Sequence, residues 1–171
     1  MGVRRQPMPM RQQPAIPGWL VIMAVLLWLW SCPFTPVWAA DFTKEDLQGR
    51  NFAGQDLRDS SFVKANLRQS DLNHVQAAGV NLFGANLSHA NLQAANLTGA
   101  TLDMANLAGA DLRGAILENS LMWLAKVEDA QIEGADFTDA LIRQDGLNIL
   151  CKYASGTNPV TGRDTRESLG C

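Results

Sequence analysis

The chain has 171 residues, 47% of them hydrophobic, which gives room for one domain plus a targeting segment. Its formal charge is -3, yet every one of the 17 acidic residues lies after residue 40 and Arg4, Arg5 and Arg11 lie before it, so removal of the N-terminal segment would take the charge to -6. A mildly acidic body with no cluster of lysine or arginine argues against binding nucleic acid through phosphate contacts.

Residues 1 to 18 carry those three arginines, four prolines and no acid. Trp19 to Trp30 then form an unbroken apolar run between Pro17 and Pro33. Twelve residues fall short of the roughly 20 that a spanning helix needs. Val37-Trp38-Ala39 places small residues at the outer positions of a cleavage site. A basic head, a short apolar core and such a site describe a secretory signal peptide over 1–39, cut between Ala39 and Ala40. Three alternatives stay open: an uncut N-terminal anchor, twin-arginine export through Arg4-Arg5, and a lipid anchor on Cys32 within Leu29-Trp30-Ser31-Cys32.

From residue 40 to 144 a five-residue pattern recurs without insertion. Its clearest copies are Ala85-Asn86-Leu87, Ala90-Asn91-Leu92, Ala95-Asn96-Leu97, Ala105-Asn106-Leu107 and Ala110-Asp111-Leu112. Taking the Leu or Phe as the centre, the centres run from Phe42 to Ile142. A period of five fits neither a helix nor a long alternating strand, and units this short bury a core only by stacking on one another. This pattern resembles the pentapeptide repeat family, over about three fifths of the chain.

The resemblance implies an all-β solenoid: a right-handed, four-sided (quadrilateral) parallel β-helix with one unit per side, about five coils and a rod on the order of 25 Å long. Centres twenty residues apart should then form four inward columns. The first is Phe42, Phe62, Leu82, Leu102, Met122 and Ile142; the second is Leu47, Leu67, Leu87, Leu107, Val127 and Leu147. The third is Phe52, Leu72, Leu92, Leu112 and Ile132; the fourth is Leu57, Ala77, Leu97, Leu117 and Phe137. The residue two before each centre also points inward and is Ala throughout 85–135 except at Ser120. Val75, Ala77 and Val80 break the size rule together, which predicts a mild bulge or small cavity there. The Asn or Asp before most centres bonds nearby backbone and is read as structural, not catalytic. In the first coil Glu45, Arg50, Gln55 and Ser60 replace the small residue, so polarity closes the N-terminal end.

The pattern fades at Asp145-Gly146-Leu147, and 145–171 reads as a C-terminal cap. Asn158-Pro159 and Thr161-Gly162 are turn signals. Asp164-Thr165-Arg166-Glu167 reads as a capping box opening a short helix that Gly170 stops. If the leader goes, Cys151 and Cys171 remain as a pair, either two free thiols in a reducing compartment or a disulfide in an oxidising one. The chain is also similar in architecture to the exported thylakoid-lumen members of the family in cyanobacteria and chloroplasts. That similarity implies the disulfide, and hence a short disulfide-closed α/turn cap over the last coil.

No chemistry stands out. His74 and His89 point outward on different sides, no metal-ligand spacing or phosphate loop is present, and with the cysteines paired no thiolate remains, so neither an enzyme nor a cofactor or metal is expected. One patch on the first side does stand out: Phe83, Met104, Leu121, Trp123 and Leu124, with Val63 and Leu141. Exposed apolar residues grouped on one face mark a partner site; alternatively the C-terminal tail folds back over them, above all over Leu124 and Leu141. Two functions follow. The first is a non-enzymatic scaffold of the thylakoid lumen or periplasm, with a protein partner such as a membrane-complex subunit and no nucleic acid or small-molecule substrate. The second, also implied by the resemblance, is a cytosolic DNA mimic that binds DNA gyrase.

Overall fold

The computed structural model describes residues 39–171. The leader expectations before Ala39, including the apolar run and Cys32, lie outside the described residues.

The five-residue unit works because it gives its backbone four partners. In the unit centred on Leu87, the Leu87 N–H donates to the Asn106 carbonyl at 2.8 Å and the His89 N–H to the Ala108 carbonyl at 3.0 Å, both one coil on. The Asn86 N–H donates to the Ala65 carbonyl one coil back at 2.9 Å, and the Ala90 N–H closes a turn onto the Leu87 carbonyl at 3.0 Å. Repeated along the chain, these bonds set parallel bridges between residues twenty apart, from Asp41 and Ser61 to Ile116 and Asp136. The last pair widens into two short parallel strands, β1 (Leu121–Met122) and β2 (Leu141–Ile142). The result is a right-handed quadrilateral β-helix.

The turns demand an unusual backbone, and this the repeat pattern did not reveal. Two residues after each centre, φ lies near +60°, the third position of a type II turn. Of the twenty such positions from 44 to 139, nineteen are left-handed and eight of those are glycine. That glycine column was the available signal. Leu124 alone departs from it.

The inward columns are built as described for the sequence through the fifth coil. Leu67, Leu87, Leu107, Leu102, Leu92, Leu112, Leu97, Leu117 and Phe137 are fully buried, and Leu47, Leu57, Leu72, Leu82, Phe52 and Phe62 are buried. The alanines two before each centre, Ala85 through Ala115, sit beside them and are buried as well. At the N-terminal end, Glu45, Arg50 and Gln55 are exposed and half-buried Phe42 stacks on Phe62 at 4.7 Å and meets Phe52 edge-on at 6.0 Å. An aromatic trio thus fills the wider terminal layer.

Two expectations fail. Of the mild bulge or small cavity expected near residues 75–80, the bulge is absent: the bridges Asp56–Gln76 and Gln76–Asn96 keep register, and Val75, Ala77 and Val80 are all buried. The local turn bonds, Val75 N–H to the Leu72 carbonyl and Val80 N–H to the Ala77 carbonyl, sit at the long end of their range, 3.3 and 3.2 Å. Leu147, in turn, is not the next rung of the second column. It belongs to helix α1 (Gln144–Tyr153), whose Leu150 is buried and whose Leu147 and Ile149 pack against the core. The apolar spacing of Leu147, Leu150 and Ala154 is helical, but Leu147 also falls on the five-residue register, and that coincidence hid the helix.

Helix α2 (Thr165–Leu169) follows its sequence signal: the Asp164 side chain accepts from the Arg166 and Glu167 amides, and Gly170 ends the helix at φ 71°. Cys151 and Cys171 form a disulfide, with Cα atoms 5.8 Å apart. By joining residues twenty apart it contributes roughly 3 kcal/mol on loop-entropy grounds.

Leu107→Ala is expected to cost about 2–5 kcal/mol in chemical denaturation, because no neighbour in so regular a stack can close the cavity. Ser120 occupies a fully buried alanine position, and its hydroxyl has no hydrogen-bond partner among the described residues. Ser120→Ala is therefore expected to stabilise by about 1 kcal/mol, and a loss of stability would show that the hydroxyl is in fact satisfied.

Candidate interaction face

Each side of the solenoid presents three outward columns, and the sides differ sharply in composition. The first side, built on the Phe42 column, exposes Met104 (55%), Leu121, Trp123 (56%), Leu124 (45%) and Leu141 (58%). Phe83 and Val63 continue the line half-buried toward the N-terminal end. Phe83 and Trp123 are two coils apart, about 10 Å at strand spacing. The structure therefore places the five residues singled out in the sequence on one side, four of them exposed and Phe83 partly sheltered.

The tail does not cover them. This overturns the expectation for Leu124 and Leu141, and the reason is where the tail is anchored. After α1 the chain crosses to the corner between the third and fourth sides. There the Gly134 N–H donates to the Ser155 carbonyl at 2.8 Å. Asn158, 1% exposed, donates its amide to the carbonyls of Gly114, Ala115 and Gly134 at 3.1, 3.2 and 2.9 Å. Its oxygen accepts from the Val160 and Thr161 amides. The approach is close enough to need glycine: a Cβ on Gly134 would lie 3.2 Å from the Thr157 carbonyl oxygen, and one on Gly156 would lie 3.0 Å from the Gly134 nitrogen. Farther on, Arg163 reaches both Glu118 and Asp136 at 3.4 Å, and Ser168 accepts from the Phe137 N–H.

Asp136 is fully buried. Burial pushes its carboxyl up, but the Thr138 hydroxyl and amide, the Thr161 hydroxyl and the Arg163 charge together hold it below the ordinary carboxylate range. Asp111 on the third side behaves alike, with burial outweighed by Arg113 and Gln93.

The repeat is also locally remodelled where the exposed residues are densest. Leu121 stands where most units carry Asn or Asp, so the Trp123 N–H has no acceptor within its own unit. It donates instead to the Asp103 carboxylate of the coil below at 2.7 Å. The ladder bonds Lys44 to Val63, Lys64 to Phe83 and Gly84 to Asp103 are not continued by Met104 to Trp123. Beside this corner a cleft of about 220 Å³ opens between residues 122–128 and α1, where Trp123, Leu124 and Ile149 are joined by the charged Lys126, Glu128, Arg143 and Asp145.

Charge is equally uneven. The first side carries Lys44, Lys64 and Arg143 against Asp41 and Asp103, whereas the fourth carries Asp56, Asp59, Glu118, Asp136 and Asp139 against Arg58 and, from the tail, Arg163. His74 and His89 are exposed on different sides, and no group of three or more His, Cys, Asp or Glu positioned to hold a metal occurs among the described residues.

A family model for pentapeptide repeats matches residues 39–75, 78–119 and 105–144 in eight copies. A crystal structure of a pentapeptide repeat protein from the Arabidopsis thaliana thylakoid lumen superimposes with a TM-score of 0.74 at 38% identity, covering 75% of this chain and 90% of that one. The chain is also similar to the Arabidopsis thaliana thylakoid lumenal protein TL20.3, 67% identical over 42 residues, and to the thylakoid lumenal 15 kDa protein 1, 50% identical over 42 residues. Those stretches span 25% of this chain but only 15% and 19% of the two relatives.

Asn158→Asp would turn a carboxylate toward three carbonyls. It is expected to cost about 1–3 kcal/mol and to speed amide hydrogen exchange across residues 154–163; unchanged exchange would mean the tail is held elsewhere. Because the folded value of Asp136 is depressed, its contribution is complete above about pH 4 and is lost as pH falls through that folded value. Asp136→Asn is accordingly expected to weaken the tail at neutral pH and to flatten the acid dependence of its exchange.

Proposed function

Since the chain belongs to the pentapeptide repeat family, we propose that it is a non-enzymatic scaffold of the thylakoid lumen whose first side binds another protein. The observation that carries this reading is the exposed apolar group Met104, Leu121, Trp123, Leu124 and Leu141 on the side that the tail leaves bare. A solenoid whose backbone is bonded from coil to coil along most of its length offers a rigid face at little ordering cost, which favours protein recognition over chemistry. Compartment is argued from the lumenal relatives together with the Cys151–Cys171 disulfide, since disulfides persist where the environment is oxidising. The sequence pattern of the leader adds to the same reading. A DNA mimic needs acid distributed around the rod. Here three sides carry only a modest excess of acid and the first is faintly basic, which gives that alternative less support.

The test compares the tagged full chain with a Trp123→Ala, Leu124→Ser variant in the native host after cross-linking. The variant is expected to melt close to wild type, because both side chains are exposed, yet to lose a partner that the wild type retains. Equal retention by both would remove the first side from the proposal. Recovery of the protein with free thiols from a cytosolic fraction would remove the compartment.

A further inference from the structure

Resting on the reading of the first side as a partner surface, we propose that the protein seated there is a second copy of this chain. The two rods lie face to face and antiparallel, related by a two-fold axis that runs across the first side at the level of Trp123.

Two observations select a second copy. The first is the extent of the apolar surface. Apart from Tyr153 and Val160 in the tail, every large hydrophobic residue that is exposed among the described residues lies on this side. Met104, Leu121, Trp123, Leu124 and Leu141 are 38–58% exposed, which leaves roughly 500 Å² of mostly apolar surface in one patch. A standard interface buries about 800 Å² per partner, and homodimer interfaces are about two thirds apolar. The patch and a rim of polar neighbours therefore match one half of a symmetric dimer in size and composition. The second observation is the order of charges along the face. Asp103, Trp123 and Arg143 hold the same outward position in three successive coils, kept in register by the bridges Thr101–Leu121 and Leu121–Leu141. A negative charge thus stands one coil before Trp123 and a positive charge one coil after it. A two-fold axis across the face at Trp123 keeps each column in line and exchanges the coils on either side. Leu121, Trp123 and Leu124 then meet their own counterparts, and each Asp103 faces the Arg143 of the other copy. At the rim Met104 faces Gln144 and Leu141 faces Thr101. Both charges have capacity to spare for the contact. Asp103 gives Oδ1 to the Trp123 amide and Arg143 gives Nε and Nη2 to Asp145, so Oδ2 and Nη1 have no hydrogen-bond partner among the described residues. Other arrangements fail on charge. Parallel rods related by an axis along the Trp123 column would set Asp103 on Asp103 and Arg143 on Arg143, and an antiparallel axis one coil earlier would set Asp103 on itself.

The test is sedimentation equilibrium of the protein purified from its native host, from about 1 to about 100 µM. The wild type is expected to dimerise within that range. Trp123→Glu sets a carboxylate against itself on the axis and should leave only monomer. Arg143→Glu opposes Asp103 across the interface and should weaken dimerisation about tenfold or more, and adding Asp103→Asn should recover at least about threefold of that loss. Asparagine keeps an oxygen for the Trp123 amide, and Asp103 and Arg143 of one chain stand two coils apart, about 10 Å, so the recovery reports a contact between copies. Melting curves verify that each variant is folded. A monomer at every concentration overturns the inference, as does a dimer indifferent to Trp123→Glu or the absence of recovery on adding Asp103→Asn. If a monomeric chain still captures a different protein through Trp123, the second copy falls and the scaffold reading stands. If it captures none and instead floats with phosphatidylglycerol–phosphatidylcholine vesicles through Trp123, the face belongs to a membrane and both readings fall.

Discussion

Everything in this molecule is subordinate to one constraint: residues twenty apart must stay bridged, coil after coil, so that each N–H and carbonyl in the ladder finds its partner. Buried backbone groups without partners are costly, and a slip of even one residue would strand a whole side. The register in turn dictates composition. A centre must fill the interior, the residue two before it must be small because the chain turns a corner there, and the residue two after it must accept a left-handed backbone. Stability is then spread over many near-equivalent layers and is not concentrated in a single core.

Such a frame lends itself to display. Its interior is closed by leucine, phenylalanine and alanine, and functional variation is confined to outward positions and to the two ends. The ends are solved differently. The first coil is closed by polar side chains around a trio of phenylalanines, two stacked and one edge-on, whereas the last is closed by a helix and a strap that borrows its hydrogen bonds from the coil corner. Because Asn158 satisfies carbonyls belonging to two successive coils, the strap also reads whether those coils are correctly stacked. It lies at the corner of the third and fourth sides and leaves the first side open.

Much of this was legible in the residues. The five-residue period fixed which side chains enter the core, and Asp164 with Gly170 announced the last short helix. What stayed hidden had physical causes. Helix α1 was masked because Leu147 satisfies both a helical spacing and the repeat register. The valine pair at 75 and 80 pointed to a distortion, but the ladder keeps its register there. The path of the strap could not be read at all, since Asn158 meets Gly114 across a separation of 44 residues and nothing in its neighbourhood signals that contact. The diverted Trp123 amide follows from Leu121 standing in an Asn position, yet only the structure reveals that Asp103 takes over as its acceptor.

The twenty-residue register also makes the solenoid an angular index. Inserting one five-residue unit would turn every later outward residue by a quarter revolution, carrying Trp123 off the side that holds Lys44 and Lys64. Inserting four would lengthen the rod by about 4.8 Å and leave every azimuth unchanged. Surface alignment in this architecture is thus conserved only under changes of whole coils, so spacing between features on a face is quantised while their direction is locked. Two features that share a side remain in phase however tall the stack becomes.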